Sequence, residues 1–319
     1  MDTIYINEKN CKLHRAGEHI LVKKEGRKLM TAPLAGVTSV VVNTSVQFTT
    51  QILDLFLEKQ IDVIFMNLSG KIKGHLFAQK RNSVIVRLAQ YSAFMESGRR
   101  LEIAKKFVCG KVANQREVLK KYKWDAEKSA APAIKELGNM LTAVKQAESI
   151  EELMGFEGIS AKLYFDAARF MLKRNDFTRR EYRPAGDIVN SALNLGYAFL
   201  ANETAMSLRA VKLDEELGFL HSIHYGRNSL ALDLMEEFRA PFIDSWVFKM
   251  FNLRILNDPD FEGSGKAFYL NRDGYRKFCH EYEQHEAEYS GWRRKIMEQA
   301  KKLRRAIVDG EEYEPFRYE

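Results

Sequence analysis

Hydrophobic and polar positions follow one rhythm at the start of the chain and another afterwards. The runs TIYIN (3–7), HILVKK (19–24), VTSVVVNT (37–44), IDVIFMN (61–67) and KIKGHLFA (71–78) are short and rich in β-branched and aromatic residues. They predict strands. Gly17, Gly26, Gly36 and the Asn67-Leu68-Ser69-Gly70 stretch punctuate them as turns. One helix interrupts, where Ile52, Leu55 and Phe56 recur at helical spacing up to Lys59. The expectation is a small, mostly β domain over residues 1–80, whose sheet edges invite pairing with a second copy.

After a polar, basic connector at 81–90 the period becomes helical and stays so. Ser149 and Glu152 match a capping box. Ala161, Tyr164, Phe165 and Ala168 form one apolar stripe, and Ala231, Leu234, Met235 and Phe238 form another. Residues 245–256 read as a buried helix and 292–308 as a long basic amphipathic one. Asp258-Pro259 and Gly263-Ser264-Gly265 mark a loop between them. The predicted fold class is α+β: a small N-terminal mostly-β domain, then a larger all-α domain over 91–319.

Composition narrows the class of protein. In 319 residues, 45% hydrophobic and 29% charged positions exclude wholesale disorder. Cys11, Cys109 and Cys279 stand far apart, so neither a disulfide framework nor a zinc site is indicated. No signal pattern opens the chain and no apolar run approaches a membrane span, which predicts a soluble, cytoplasmic protein with no membrane partner. The net charge of +7 is unevenly placed. One basic cluster runs through Arg99, Arg100, Lys105 and Lys106 to Lys123, and a second holds Arg293, Arg294, Lys301 and Arg305. Each reads either as a solvated helical face or as a footprint for a polyanion; two in one chain favour nucleic acid.

Three segments carry candidate chemistry. Glu157 sits between Gly155 and Gly158, where it either complements a helix dipole or faces a metal or phosphate. His221 follows Gly218-Phe219-Leu220, either as a hydrogen-bonded core residue or as a ligand. Asp233, Glu236 and Glu237 are expected on the helix face opposite the apolar stripe. There they either face water or crowd around a cation. One imidazole with two carboxylates suits Mg2+ or Mn2+ over zinc or copper. There is no phosphate-binding GxxxxGK[ST] loop, no HExxH and no GxSxG.

The segments GFEG (155–158), RPAGDIVN (183–190) with Gly196-Tyr197, GFLH (218–221), GRNSLALDLMEEFRAP (226–241) and GKAFYL (265–270) lie in a familiar order and spacing. Together they resemble the CRISPR-associated integrase of spacer acquisition, over nearly the whole chain. The resemblance implies a metal-dependent DNA endonuclease that inserts short double-stranded fragments into a CRISPR array by 3′-hydroxyl transesterification. Its catalytic metal ligands would fall on Glu157, His221 and Glu236, with Asp233 in reserve and Mg2+ or Mn2+ as cofactor. Many relatives have aspartate at the position of Glu236. Ligands can be replaced without emptying a core, so little loss of stability is expected from removing one. His224 receives no role, and Glu8 stands where some relatives use an aromatic to bracket the duplex end. Implied partners are the DNA fragment, the CRISPR repeat, and a small second adaptation protein. Two homodimers, joined through the N-terminal domain, would sandwich a dimer of it. The basic clusters would then track DNA. The rival readings are a general DNA-repair nuclease with the same metal site and a non-catalytic DNA-holding scaffold.

Overall fold

The computed structural model describes residues 2–66, 72–77, 84–124, 130–182, 184–265, 267–287 and 291–319. The turn expected at 67–70, the first residues of the 81–90 connector, Arg183 and Lys266 therefore lie outside the described residues. The chain divides into two units, the first comprising Met1–Arg81, Asp258–Ser264 and Tyr269–Gln284, the second Asn82–Asn257, Gly265–Phe268 and His285–Glu319.

In the first unit the strands are β1 (Asp2–Ile6), β2 (Cys11–Ala16), β3 (His19–Lys24), β4 (Arg27–Pro33), β5 (Val37–Val42), β6 (Val46–Phe48), then helix α1 (Thr50–Glu58), β7 (Asp62–Met66) and β8 (Ile72–Leu76). They form two sheets, in the orders β1-β5-β7-β8 and β4-β3-β2-β6. Strand β5 runs parallel to both β1 and β7. Its consecutive buried residues, Ser39 to Val42, are what a strand covered on both faces requires. In the second sheet the side chains alternate: Cys11, Leu13, Ile20 and Val22 enter the core while Lys12 and His14 do not. Glu25 and Gly26, with φ of 50° and 78°, make the tight β3–β4 hairpin, both in the left-handed region that such two-residue loops need. Ile52, Leu55 and Phe56 of α1 close one shared core with both sheets.

Three strands escape the sequence pattern. β2 is half polar, β6 is only three residues long, and β4 is exposed along most of its length as an edge. Helix α2 (Val84–Met95) occupies most of the expected connector, because Val86, Gln90 and Ala93 have an interior to enter. The all-α region is also not continuous. Helix α9 (Arg272–His285) returns to the first unit, burying Tyr275, Phe278, Cys279 and Tyr282 there. The Tyr5 hydroxyl meets Glu283 at 3.1 Å.

The second unit is helical: α3 (Ser97–Lys121), α4 (Ala131–Gln146), α5 (Ile150–Ala168), α6 (Ile188–Ala210), α7 (Ser229–Met235), α8 (Ser245–Asn252) and α10 (Trp292–Val308). Ser149 caps α5 by accepting from Glu152 N at 3.1 Å, while the Glu152 carboxylate reaches back to Glu148 N at 2.8 Å. That is one residue earlier than the expected box. Helix α8 stops short of 256 because Asn252 turns its side chain to Met171 O and Lys173 N, and Arg254 follows at a φ of 58°. In place of the expected loop stand two short strands, β9 (Phe261–Ser264) and β10 (Ala267–Leu270). Among the described residues no helix is long and apolar enough to cross a membrane.

His285 stacks within 5.6 Å of Trp246 and 5.0 Å of Trp292. Burial, and then the charge of Lys249, lower its pKa to about 4. A depressed imidazole adds stability above its unfolded pKa near 6.5 and loses it as pH falls through about 4. His285→Phe keeps the stack and removes the titration. Urea denaturation at pH 7 and pH 4.5 should show wild type losing on the order of 2 kcal/mol more than the variant across that interval.

Candidate active site

Glu157 lies in the middle of α5 and not at its mouth, so the helix dipole does not account for it. A Cβ at Gly155 or Gly158 would meet only open space, so the surface beside the carboxylate is uncovered. Lys111 projects from α3 and ion-pairs with Glu157 on one side and with Glu236 Oε2 at 2.7 Å on the other. Its side chain is only 9% exposed. Sequence places Lys111 in a basic cluster of the kind that faces solvent; the fold turns it inward. Burial works against its charge, but Glu236 and Glu157 outweigh that and raise its pKa.

Asp233, Glu236 and Glu237 do not share a solvated face. All three are buried, at 0%, 5% and 0% exposure, because the end of α7 is enclosed on every side. Asp233 turns to the Gly218–His221 loop. It accepts Phe219 N at 2.6 Å, Leu220 N at 2.9 Å, His221 N at 2.9 Å and the His221 ring at Nδ1, 2.6 Å away. Four donors on two oxygens leave no room for the reserve-ligand role. Asp233 instead fixes the imidazole through Nδ1, leaving Nε2 without a hydrogen bond among the described residues. Gly218 is required by this closeness: a Cβ there would come within 2.8 Å of Asp233 Oδ2 and of the Ser229 backbone. The loop is held from behind by Gln90, bonded to Asp214 N, Asp214 O and Leu217 O, and by Arg100 Nε on Phe219 O. Burial works to lower the His221 pKa, but the Asp233 bond and charge, and then Glu236, raise it.

Glu236 receives Arg239 Nε at 2.9 Å as well as Lys111. Burial opposes its charge, yet Arg239, Lys111 and His221 hold its carboxyl well below the usual carboxylate range. Arg239 opens a π-helical turn, Arg239–Asp244, and lies 4.4 Å over the Tyr197 ring. The Tyr197 hydroxyl donates to Asp244 Oδ1 at 2.5 Å. Tyr197 and Arg239 fall inside recognisable segments, but nothing in their spacing assigns them a role.

Glu237 faces away from Glu236. Its carboxyl takes the Tyr313 hydroxyl at 2.5 Å and Phe316 N at 2.7 Å. Asn114 of α3 spans the Glu237 and Phe316 carbonyls. Phe316 also stacks on Phe238 at 5.0 Å. The segment after α10 thus straps the end of α7 to α3, one residue from Glu236. Gly110 admits this, since a Cβ would press Glu237 Cγ and Pro315 Cβ at 2.9 Å. Periodicity cannot find such a strap, for it has no regular structure.

The donor set fits a hard divalent cation. Two carboxylates converge on one positive charge, Lys111, which stands where a cation is wanted. Glu236 Oε2, although paired to it, accepts no well-directed hydrogen bond. Among the described residues His221 Nε2 makes no hydrogen bond. Among the described residues no three His, Cys, Asp or Glu side chains close around one point; Lys111 lies between the two acids. His224 is exposed, and Glu8 is tied to Lys24, Arg272 and Arg276.

The basic clusters separate into four groups. Arg99 donates to the Ala306 and Ile307 carbonyls and Arg100 to Phe219, so both bind the fold itself. Arg293, 5% exposed, pairs with Glu203 at 2.8 Å; breaking such a pair costs about 3–5 kcal/mol. Lys105, Lys106, Arg294 and Arg305 pair with Glu102, Glu312, Glu298 and Glu311 on the surface. Lys301 alone of the eight is exposed without an ion pair among the described residues.

Residues 4–284 match the family described as CRISPR associated protein Cas1. The chain is 30% identical over 338 residues to the CRISPR-associated endonuclease Cas1 1 of Moorella thermoacetica, covering 100% of this chain and 98% of that protein. A solved CAS1 protein from Thermotoga maritima superposes with a TM-score of 0.86 at 24% identity, over 100% of both chains. A casposase bound to integration product does so at 0.84 and 23%, over 100% of this chain and 95% of the other. The last two show a common fold; with the sequence match over most of its length, they place this chain in the CRISPR-associated Cas1 family.

Proposed function

We propose that this chain is a divalent-metal-dependent DNA endonuclease and integrase of CRISPR spacer acquisition, joining a fragment's 3′-hydroxyl to the repeat by transesterification. The observation that carries it is the convergence of Glu157 and Glu236 on one cation beside a histidine oriented by Asp233. Glu157, Glu236 and His221 Nε2 would hold Mg2+ or Mn2+, which would supply Lewis-acid stabilisation of the phosphoryl group and activation of the attacking oxygen. Asp233 keeps the imidazole in the tautomer with Nε2 available. Arg239, propped on Tyr197, keeps Glu236 ionised. Water as the attacker gives cleavage from the same arrangement. Family resemblance supports a homodimer that assembles with a dimer of the small second adaptation protein, in the cytoplasm. The exposed edge strand β4, with Leu29 and Met30 at 50% and 36% exposure, suits self-pairing.

Glu157→Ala, His221→Ala and Glu236→Gln should each abolish strand transfer of a 3′-hydroxyl duplex in Mn2+. Glu157 is partly exposed and its loss leaves Lys111 paired with Glu236, so its removal should lower the thermal midpoint less than removing the Glu236 charge. Removing the Glu236 charge strands Lys111 and Arg239 in the interior, and such a loss costs about 3–5 kcal/mol. Here burial overrides the expectation that every ligand is dispensable for stability. Full transfer by Glu236→Gln would refute the assignment.

Asp233→Asn and Gly218→Ala should weaken Mn2+ binding, read by calorimetry, by about 10–100-fold, as loss of an outer-shell partner does. Unchanged affinity in both would show that the loop does not orient His221.

Light scattering should show the dimer weakened by Leu29→Lys/Met30→Glu. A dimer of wild-type strength in that variant would exclude β4 as the pairing edge.

A further inference from the structure

The β4-β3-β2-β6 sheet carries a charge pattern that the active site does not use. Lys12 lies directly opposite Lys23, and Lys23 directly opposite Lys28, across β2, β3 and β4. Gln47 of β6 continues the row beside Lys12. Directly opposed residues project from the same face, here the one turned away from Leu13, Ile20 and Val22 of the core. Three like charges in register are mutually destabilising unless an anion relieves them. On the opposite face the neighbouring Lys24 is neutralised by Glu8 at 2.7 Å. Lys12, Lys23 and Lys28 make no ion pair among the described residues. Lys12, His14, Lys23 and Gln47 line a cleft of about 540 Å3, with Glu25 as the one carboxylate at its border. The positive field is felt there: burial first, and then Lys23 and Lys12, lower the His14 pKa.

We propose that this outer sheet face docks the phosphodiester backbone of duplex DNA, with Lys12, Lys23 and Lys28 each facing a phosphate and Gln47 adding a neutral donor. The surface rests on the DNA-directed function above and adds to it a contact site in the first unit. Its geometry suits a backbone: strands about 4.8 Å apart spread three ammonium groups over about 10 Å. One DNA strand offers a phosphate every ~3.4 Å of axis, so about three phosphates span the row. Flexible ammonium groups on a flat sheet act as point charges and do not read base edges. Binding there should be strong at low salt and indifferent to sequence.

The test is duplex binding by the full-length chain across a salt series, with two unrelated sequences, for wild type, Lys23→Gln and Lys12→Ala/Lys23→Ala/Lys28→Ala. The log–log slope should fall by about 0.9 for the single change and by up to about 2.7 for the triple, equally on both duplexes. The single variant keeps the lysine stem's packing, so a folding defect confined to the triple leaves the measurement intact. Unchanged slopes alongside wild-type binding overturn the surface alone, as does competition by inorganic phosphate or polyglutamate without any change in slope. A wild-type chain that binds neither duplex removes both the surface and the DNA-directed function. A loss confined to one sequence would mean the face reads bases, contrary to the proposal.

Discussion

The candidate site depends on one buried charge, the carboxylate of Glu236. It is 5% exposed and survives as an anion only because Arg239 and Lys111 approach it from two directions. Each of those cations is then buried in turn and needs its own support. Arg239 finds it on the Tyr197 ring, whose hydroxyl is held by Asp244, and Lys111 finds it in Glu157. Charges placed this way are costly singly and tolerable together, so helices α3, α5, α6 and α7 are tied to one arrangement.

Around that charge, backbone rather than side chain sets the fine positions. The loop carrying His221 wraps the Asp233 carboxylate with three successive amides, an arrangement that only glycine at 218 permits. On the far side, Tyr313 and Phe316 take the Glu237 carboxyl, which burial pushes up to about 8 despite those bonds. Adjacent glutamates therefore have opposite electrostatics. Glu236 is held in its charged form by cations, while burial works against the charge of Glu237.

Charge is distributed differently over the two units. In the helical unit most of the sequence's basic excess is consumed by capping carbonyls and pairing surface acids. In the β unit three lysines stand in register with no acid opposite. The length of a cluster in sequence is thus a poor guide to where free positive charge lies. A strand alternates faces residue by residue, and cross-strand register alone decides which lysines add together.

By itself the sequence determined the α+β class, the helix Thr50–Glu58 from its three apolar positions, α10 over Trp292–Val308, and the capped start of α5. Through resemblance it also gave the family, with Glu157, His221 and Glu236 as the expected ligands. These are local patterns, periodicities and ordered motifs that survive without three-dimensional context. Tertiary structure decided the rest. It turned Lys111 and Arg293 inward, wrapped Asp233 in the loop that carries His221, and separated three neighbouring acids into three environments. It also sent α9 back to the β unit. Each of these depends on which distant segment arrives alongside, and burial then fixes what a charged side chain must pair with. No spacing along the chain encodes that, because a carboxylate's role is set by the donors that surround it.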